Sequence, residues 1–493
     1  MNGLLFALVI AALGVLFTAA LRVPVGRPGW PRWVGRGLLT AGAVAATVAA
    51  NVALYRNDSH FDLTASRAFT PTPEVERLVR DLRADVDLVY FYQKQDPAGR
   101  NAKMLLEILA RSSPRLHVRT VDPDQYPGVA SRYGVHAYNV AVLESGGRRV
   151  QVNSTSDRDI GLGVVRVTRA KPKTVCFAVG HGEYDIDNME YHTHFEGTHG
   201  HTHGGEGTAV VLMEQHGLGR LRRALESLGL GTRKVALATA GHVPAECTVL
   251  VDAGPRTRYA PPEVEALSDF LSHGGAALLL LDLDFPVEPA MARLLGRLGV
   301  RVGDGIVVDP QDHYFTDEQM VAVTGYAPHA ITRGLALSFF PGIRPLELVP
   351  PAPGTTVVPL ASSSAESHVR PLGASPRDDA VRTPRGARLL AAAALGTWTG
   401  APAGTPFRAV VVGDADFASN SFFPYMSNAD LVLSALAWLV GEERPSTLKP
   451  AVEVLPRVAL TGRQVRGIFG VTVIALPGLA ALAGGVLWWR RRR

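Results

Sequence analysis

The sequence predicts an α/β protein that is anchored in a membrane, with two α/β domains outside the cytoplasm. Three observations predict this class. Long apolar segments lie near both ends of the 493-residue chain. Between them, strand-like runs of branched apolar residues alternate with segments of helical periodicity, which is the pattern of sheets covered by helices. The net charge of +5 is concentrated in arginines beside the apolar segments, as in membrane proteins.

Three segments have the composition of transmembrane helices: 1–21, 37–55 and 468–489. The third would be about 33 Å long as a helix, which matches a bilayer core. For the first, a cleaved signal peptide is the alternative, although a basic start is missing and a second apolar segment follows. The arginine-rich loop after the first segment and the arginine-rich tail belong in the cytoplasm by the positive-inside rule. We therefore expect a multi-pass protein of the cell (inner) membrane, with the block between the second and third spans extracytoplasmic.

The first external domain is predicted over residues 57–170. A helix, a strand (VDLVYFY), a helix, a strand (LHVRTV) and a short helix precede a hairpin that turns at Ser145-Gly146-Gly147. The predicted helices span 74–82, 102–110 and 129–133, and the predicted strands span 86–92, 116–121, 139–144 and 148–152. This order is thioredoxin-like in outline. The domain has no C-x-x-C motif, so thiol redox chemistry is not expected.

The second external domain is predicted over residues 173–445 as a doubly wound parallel sheet, because strands again alternate with helices. The predicted strands span 174–179, 234–238, 249–252, 276–282 and 408–412, and the helices 218–228, 262–271 and 428–440. The Pro/Ser/Ala-rich stretch 351–386 is predicted to be an exposed loop. Cys176 lies in an apolar strand and should be in the core. Cys176 and Cys247 match no metal or redox spacing, and a disulfide between them can form outside the cytoplasm.

Polar residues follow several of the predicted strands in the second domain. Ligands of open α/β sheets usually bind at the carboxyl ends of the strands. These residues are therefore candidate ligand-binding residues: His181, Glu183, Asp252, Asp282, Asp414 and Asp416. The alternative is that glycine and aspartate stand at strand ends simply as turn and capping residues.

Several enzyme classes are disfavoured by the sequence. There is no G-x-S-x-G elbow, no phosphate-binding G-x-x-x-x-G-K-[ST], and no dinucleotide spacing around residues 180–183. Neither cysteine stands where an activated thiol would. A basic surface interleaved with aromatic residues is also missing, so nucleic acid is not an expected partner. We expect no catalytic residues, and a metal-dependent hydrolase using His181 and Glu183 is the alternative.

A His-rich insertion at residues 190–207 contains five of the fifteen histidines. Imidazole is a good ligand for Zn, Cu and Ni. The candidate metal ligands are His192, His194, His199, His201 and His203. The glycines among them argue against a rigid site, because structural metal sites need fixed ligands. Two interpretations of the insertion remain open: it captures metal ions exchangeably, or it is a surface insertion that binds no metal.

The chain resembles the auxiliary components of uncharacterised ABC-type transport systems, a family that includes GldG-like gliding-motility proteins. The most recognisable motif is Gly180-His181-Gly182-Glu183. Further matching pieces follow in the family's order: Phe61-Asp62-Leu63-Thr64, Val121-Asp122-Pro123-Asp124, Gly254-Pro255, Gly274-Gly275, His329-Ala330-Ile331-Thr332, Gly413-Asp414-Ala415-Asp416 and Trp438-Leu439. Each piece is weakly specific, but their order is quite specific.

The resemblance implies a non-enzymatic auxiliary subunit whose second domain is glutamine-amidotransferase-like and lacks catalytic residues. It also implies an ABC permease and a cytoplasmic ATPase as partner subunits, in addition to membrane lipid. The external domains would bind a ligand or a partner. A metal-handling subunit that uses the His-rich insertion is the second hypothesis. Two departures from the family pattern stand out, namely two apolar segments before the soluble block and the His-rich insertion after Gly-His-Gly-Glu.

Overall fold

The computed structural model describes most of the chain between residues 70 and 442, together with a short helix near the carboxyl terminus. The described residues are 42–44, 47, 70–169, 173–190, 217–283, 285–314, 317–372, 384–398, 405–442, 462–479 and 484. The predicted span 1–21 and most of the His-rich insertion lie outside them. Most of the predicted span 37–55 does so as well.

The first unit is a four-stranded sheet covered by helices on both faces. Its elements are α1 (Pro73–Arg80), β1 (Val86–Phe91), α2 (Pro97–Ser112), β2 (Leu116–Val121), α3 (Pro127–Tyr133), β3 (Val140–Ser145), β4 (Arg148–Asn153) and α4 (Asp157–Thr168). The strand order is β2-β1-β3-β4, with β1 and β2 parallel and the others antiparallel. The turn between β3 and β4 places Gly146 and Gly147 at φ 54° and 77°, a region that favours glycine. The sequence analysis did not foresee α4.

The second unit is built around a nine-stranded sheet, here called the large sheet. Its first half contains β5 (Thr174–Ala178), α5 (Gly219–Ser227), β6 (Gly231–Val235), α6 (Leu237–Ala240), β7 (Cys247–Ala253), α7 (Pro261–Ser272), β8 (Ala276–Leu280) and α8 (Pro289–Arg297). Its second half contains β9 (Val300–Val302), β10 (Ile306–Val308), β11 (His313–Tyr314), β12 (Asp317–Val323), β13 (Ser338–Pro341), β14 (Leu346–Leu348), β15 (Thr355–Ser362), β16 (His368–Arg370), β17 (Leu389–Gly396), β18 (Phe407–Val412) and α9 (Asn428–Leu439).

The large sheet is mixed rather than wholly parallel. Its order is β6-β5-β7-β8-β18-β17-β14-β9, with β15 also paired to β17. The first five strands are parallel, as the alternation of strands and helices predicts. From β17 onward the pairing is antiparallel. No helix lies between β17 and β18 in the described chain, so these neighbours need no crossover.

Two local predictions differ from the structure. The strand predicted at 234–238 is β6 followed by the short helix α6, because β6 pairs with β5 three residues earlier than the apolar pattern suggested. β6 is an edge strand of the large sheet with exposed polar residues, so its sequence contains no apolar run. The predicted loop 351–386 contains β15 and β16, since the β-branched run Thr355–Val358 outweighs the proline and serine around it.

Apolar layers cover both faces of the large sheet, and a disulfide joins two of its central strands. Along β7, Val249 and Val251 pack on the side of α5 and α9, whereas Leu250 packs on the side of α7 and α8. Cys176 in β5 is fully buried, as predicted, and is bonded to Cys247 in β7. The bond therefore lies inside the second apolar layer.

Two small sheets, β10-β16 and β11-β12-β13, pack beside the large one. Near the carboxyl terminus, α10 (Gly462–Phe469) continues into a π-helical turn, Gly470–Ala475. Within the described part of the chain, no helix combines the length and the apolar character that a membrane crossing requires.

Candidate functional site

The carboxyl ends of the parallel strands gather nearly all the polar residues that the sequence singled out. The loops after β5, β7, β8 and β18 meet at this edge of the large sheet, which we call the carboxyl edge. After β5 and β7, Gly180, Gly182 and Gly254 adopt positive φ, which lets the chain turn sharply away from the sheet there. The side chains there form two groups, one on each face of the sheet.

The first group, the His181 network, consists of His181, Glu183, Asp252, Tyr259 and Glu263. The His181 ring stacks on Tyr259 with centroids 3.9 Å apart. Its Nδ1 is 3.3 Å from Glu183 Oε1 and its Nε2 is 3.2 Å from Glu263 Oε2. The Tyr259 hydroxyl donates to Glu183 Oε1 over 3.0 Å. Both ring nitrogens of His181 therefore face carboxylates of the protein itself.

Backbone contacts hold the loop after β5 in place. The His181 carbonyl accepts hydrogen bonds from the backbone N–H groups of Arg256 and Thr257, at 2.8 and 3.0 Å. Gly182 has φ 83°, and a Cβ there would lie 3.3 Å from Arg256 Cβ. The His181 backbone N–H donates to Glu183 Oε2 over 2.7 Å. The Gly-His-Gly-Glu motif therefore joins the loops after β5 and β7 by its backbone as well as by its side chains.

Asp252 is the member of this network whose burial is least offset by hydrogen bonds. Its side chain is 1 % exposed, and neither carboxyl oxygen has a hydrogen-bond partner among the described residues. The Tyr259 hydroxyl, which donates to Glu183, also lies near Asp252, and its interaction with this carboxyl partly lowers the pKa of Asp252. Burial raises the pKa of the Asp252 carboxyl well above its usual range, and the nearby charge of Glu183 raises it further. Asp252 therefore holds a proton under conditions in which an exposed aspartate is ionised.

The second group, the aspartate cluster, consists of Tyr184, Asp282, Asp414 and Asp416. The Tyr184 hydroxyl donates to Asp416 Oδ1 at 2.6 Å and lies 3.3 Å from Asp282 Oδ2. Asp414 accepts the backbone N–H groups of Asp416 and Phe417, at 2.9 and 3.2 Å. Burial, followed by the neighbouring carboxylates, raises the pKa of Asp414 well above its usual range. Burial and Asp416 likewise raise the pKa of Tyr184.

The three carboxylates of the aspartate cluster could hold a cation. Each offers one oxygen, and these oxygens lie within 4.8 Å of one another. Oxygen donors of this kind suit hard divalent cations such as Mg²⁺ or Ca²⁺. Without a cation, buried carboxylates this close reduce their repulsion by retaining protons. The geometry is thus compatible with either protons or a divalent cation.

A buried arginine supports the loops around the aspartate cluster. Arg344 is 4 % exposed, and its guanidinium donates to the carbonyls of Asp282, Phe285 and Gly303 at 3.3, 2.8 and 3.1 Å. One further nitrogen is 3.4 Å from an Asp304 carboxylate oxygen. Burial lowers the pKa of Arg344. Because its donors are used by the protein, Arg344 shapes the loops rather than binding an anion.

The two attachment points of the His-rich insertion meet at this edge. Asn420 is fully buried, and its side-chain N–H groups donate to the carbonyls of Asn188 and Glu190 at 2.8 and 2.9 Å. The Asn420 side-chain oxygen accepts a hydrogen bond from the Arg220 backbone N–H at 2.8 Å. The Asn420 backbone N–H donates to the Gly217 carbonyl at 2.8 Å. Asn420 therefore ties together the chain segments on either side of residues 191–216.

The sequence prediction placed six candidate residues at this edge, and the structure brings all six there. His181, Glu183 and Asp252 belong to the His181 network, and Asp282, Asp414 and Asp416 to the aspartate cluster. That they bind a ligand remains a prediction. The five candidate metal ligands of the His-rich insertion lie outside the described residues: His192, His194, His199, His201 and His203.

Four contributors were missed by the sequence analysis: Tyr184, Tyr259, Glu263 and Arg344. Tyr184 directly follows Glu183 in the sequence, so its position at a strand end was a usable signal. Glu263 stands three residues after Ala260, whose N–H donates to Glu263 Oε2 at 2.8 Å. A glutamate at that position of a proline-started helix is typical of capping. Tyr259 and Arg344 come from loops without a local signal.

The family comparison bears on the segment that forms this edge. A family model described as "ABC-type uncharacterized transport system" matches residues 172–435, which includes both clusters. The chain belongs to this family. It is therefore an auxiliary component of an ABC-type transport system, as the order of motifs predicted. No curated protein matches the sequence.

Solved structures show only distant similarity. An "mmIFT52 N-terminal domain" is 16% identical with a TM-score of 0.37, over 55% of this chain and 99% of that one. A thioredoxin from Fasciola hepatica is 22% identical with a TM-score of 0.17, over 20% and 97%. Mitochondrial thioredoxin 3 from Saccharomyces cerevisiae is 18% identical with a TM-score of 0.16, over 20% and 89%. Similarities this low support no inference about function.

Proposed function

We propose that this chain is a non-enzymatic, membrane-anchored subunit of an ABC-type transport system, and that it binds a ligand or a partner subunit at the carboxyl edge. One observation carries the proposal. The loops of four parallel strands bring six sequence-predicted polar residues together, inside the segment that matches the transport family. This edge is where open α/β sheets usually bind their ligands.

The bonding of His181 supports a non-enzymatic role. A metal-dependent hydrolase would need a ring nitrogen of His181 to face a metal or a substrate. Both ring nitrogens instead face carboxylates of the chain itself, and the ring is 7 % exposed. Glu183 is equally engaged, with Tyr259 and the His181 backbone as partners. The hydrogen bonds of the Gly-His-Gly-Glu motif therefore hold loops of the protein in place. We accordingly favour the binding of a ligand or partner over a metal-dependent hydrolase activity.

Membrane attachment is proposed through the apolar terminal segments. In the segment 468–479, the large apolar side chains are 48–64% exposed, which is typical of a surface that meets lipid or another protein. The Cys176–Cys247 disulfide fits an oxidising compartment outside the cytoplasm. Transport energy would come from a cytoplasmic ATPase that acts through a permease, as family membership suggests.

Affinity capture from native membranes tests this function. The full-length chain, tagged and solubilised in mild detergent, should co-isolate an ABC permease and its ATPase. A matched capture with an unrelated single-pass membrane protein controls for nonspecific association. Recovery of the chain without either subunit, under conditions that retain other ABC assemblies, would contradict the proposal.

Metal capture is a second candidate function. The observation that favours it is the position of the His-rich insertion, whose two ends are fixed by Asn420 at the edge that also holds the aspartate cluster. Imidazole-rich segments suit Zn²⁺, Cu²⁺ and Ni²⁺.

Isothermal titration with Zn²⁺, Cu²⁺ and Ni²⁺ tests this candidate. The full-length chain should bind at least one of these ions more tightly than a variant in which residues 191–216 are replaced by a short Gly-Ser linker. Equal affinity in both chains would remove metal capture by the insertion. An Asp414→Asn/Asp416→Asn variant separates binding at the aspartate cluster from binding at the insertion.

A further inference from the structure

The described carboxyl-terminal end of the globular block lies at the amino ends of the parallel strands. There, the Lys173 ammonium donates to the Val440 carbonyl, just before β5 begins. Arg169 forms an ion pair of 2.6 Å with Glu442 and donates to the Leu228 carbonyl at 2.9 Å. The chain thus leaves the large sheet at the edge opposite the carboxyl edge.

The described amino-terminal end is fixed to the first unit. The Thr72 backbone N–H donates to Asp157 Oδ2, at the first turn of α4, over 2.7 Å. The other end of α4 leads through Arg169 to the exit just described. Both ends of the block are therefore fixed to one helix, which is about 18 Å long at 1.5 Å per residue.

The first unit lies against the amino edge of the large sheet. Leu228, at the end of α5, packs against the apolar core of the first unit. The next residue, Gly229, lies directly against α4, because a Cβ at this position would be only 2.8 Å from the Arg166 side chain. The first unit, the chain entry and the chain exit are thus on one side of the large sheet, and the carboxyl edge is on the other.

A strand of five residues separates the two edges. At about 3.3 Å per residue, β5 alone spans roughly 16 Å. The attachment points of the His-rich insertion lie at the far edge, because Asn188 and Gly217 meet there at the start of α5. The carboxyl edge and the described chain exit therefore lie at opposite ends of β5.

We propose that the block stands on the lipid bilayer with its first unit and amino edge toward the headgroups, so that the carboxyl edge, with the two segments that Asn420 joins there, faces away from the membrane. This orientation rests on the proposed membrane anchoring of the terminal segments. The lipid surface is the occupant because 69 residues precede Thr70 and 51 follow Glu442, and each of these tails contains an apolar segment.

The orientation assigns the carboxyl edge to a ligand arriving from the aqueous phase. A permease embedded in the membrane would meet the first unit instead. Contact with the permease and capture of a ligand would then use opposite sides of the folded block, so that both partners could be bound at once.

Energy transfer from single labels to a lipid dye tests the orientation. Both native cysteines are in the disulfide, so one introduced cysteine gives one labelling site. Arg77→Cys marks the entry side and Arg258→Cys marks the carboxyl edge. Both arginines belong to exposed ion pairs, with side chains 56% and 76% exposed, so neither substitution should disturb the fold. Unchanged melting temperatures would verify this.

Each full-length variant is labelled with a donor dye and reconstituted into phosphatidylcholine/phosphatidylglycerol vesicles that carry an acceptor lipid. We expect transfer to fall several-fold from position 77 to position 258. Equal or reversed transfer in a chain that floats with the vesicles overturns the orientation alone. Failure to float with the vesicles overturns the proposed anchoring, and the orientation with it.

Discussion

Asp252 is buried with a carboxyl group to which no described residue hydrogen-bonds, which is rare in folded proteins. Its pKa is raised by burial and by Glu183, so the folded chain binds this proton more tightly than the unfolded chain, where the pKa is about 3.9. The stability that this group contributes is therefore complete below about pH 4. It is lost progressively as the pH rises toward the raised folded value.

An Asp252→Asn substitution should consequently stabilise the protein at alkaline pH. The amide stays neutral and can donate to Glu183, so the cost of ionising a buried carboxyl disappears. We expect the melting temperature of the full-length chain at pH 8 to rise by about 2–4 °C, which corresponds to roughly 1 kcal/mol in a unit of this size, and to change little at pH 4. Circular dichroism over pH 4–9 measures this. Asp269→Asn, at an exposed position, is the matched control, and a lower melting temperature for Asp252→Asn at pH 8 would rule out a neutral Asp252.

At the level of residues, the sequence predicted the acidic members of the site better than the aromatic ones. Asp414 and Asp416 follow glycine after an apolar strand, a pattern whose physical basis is the turn at the strand end. Tyr259 and Arg344 come from connections whose paths depend on tertiary packing. Their roles follow from contacts with residues distant in the chain, which no local spacing encodes.

The disulfide joins two neighbouring strands of the large sheet, β5 and β7, across 71 residues of sequence. A bond that closes a loop of this size stabilises a protein by about 2–4 kcal/mol, mainly by restricting the unfolded chain. Cys176→Ala/Cys247→Ala, and likewise reduction of the wild type, should lower the melting temperature. Reduction should not change the double variant further. Two free thiols in the unreduced, unfolded wild-type chain would contradict the bond.

Residues 191–216 should be removable without loss of the fold, because their attachment points already meet. The Gly219 N–H donates to the Asn188 carbonyl at 3.0 Å, and a Cβ at Gly217 would lie only 2.0 Å from that carbonyl oxygen. Replacement of 191–216 by a Gly-Ser linker should leave the melting temperature within a few degrees of the wild type. A large decrease would show that the insertion is part of the core.

Asn420→Ala should be far more damaging than that deletion. The substitution leaves buried backbone groups of two segments without partners, which costs about 2–3 kcal/mol. Thermal unfolding of the full-length chain measures the effect, and Asn153→Ala, at an exposed position of β4, is the control. If the two alanine variants melt alike, Asn420 does not hold the attachment points together.

At the level of elements, the predicted strands are rich in apolar residues, but not every apolar strand was predicted. The β2 prediction matches the structure residue for residue. In contrast, β17 reads LLAAAALG, a composition that favours a helix in isolation. It forms a strand because small side chains fit between the two apolar layers, where Ala391 and Ala393 face one layer and Ala392 and Ala394 the other. Tertiary packing thus overrides local propensity.

At the level of the whole molecule, alternating strands and helices were sufficient to predict the parallel half of the large sheet and the gathering of polar residues at its carboxyl edge. The antiparallel half was not foreseen, because β9 and β14 are only three residues long, β15 lies in a proline- and serine-rich stretch, and β17 has the composition of a helix. The order of family motifs identified the transport family, which the family model confirms over residues 172–435. Ligand binding at the carboxyl edge remains a prediction.

The proposed function is binding within a transporter rather than catalysis. ATP hydrolysis by the permease and ATPase subunits, reconstituted in vesicles with and without the full-length chain, tests it most directly. The predicted result is that the chain alone hydrolyses no ATP and that the wild-type chain changes the rate of the assembly. An unchanged rate with the wild-type chain stoichiometrically bound would contradict the account.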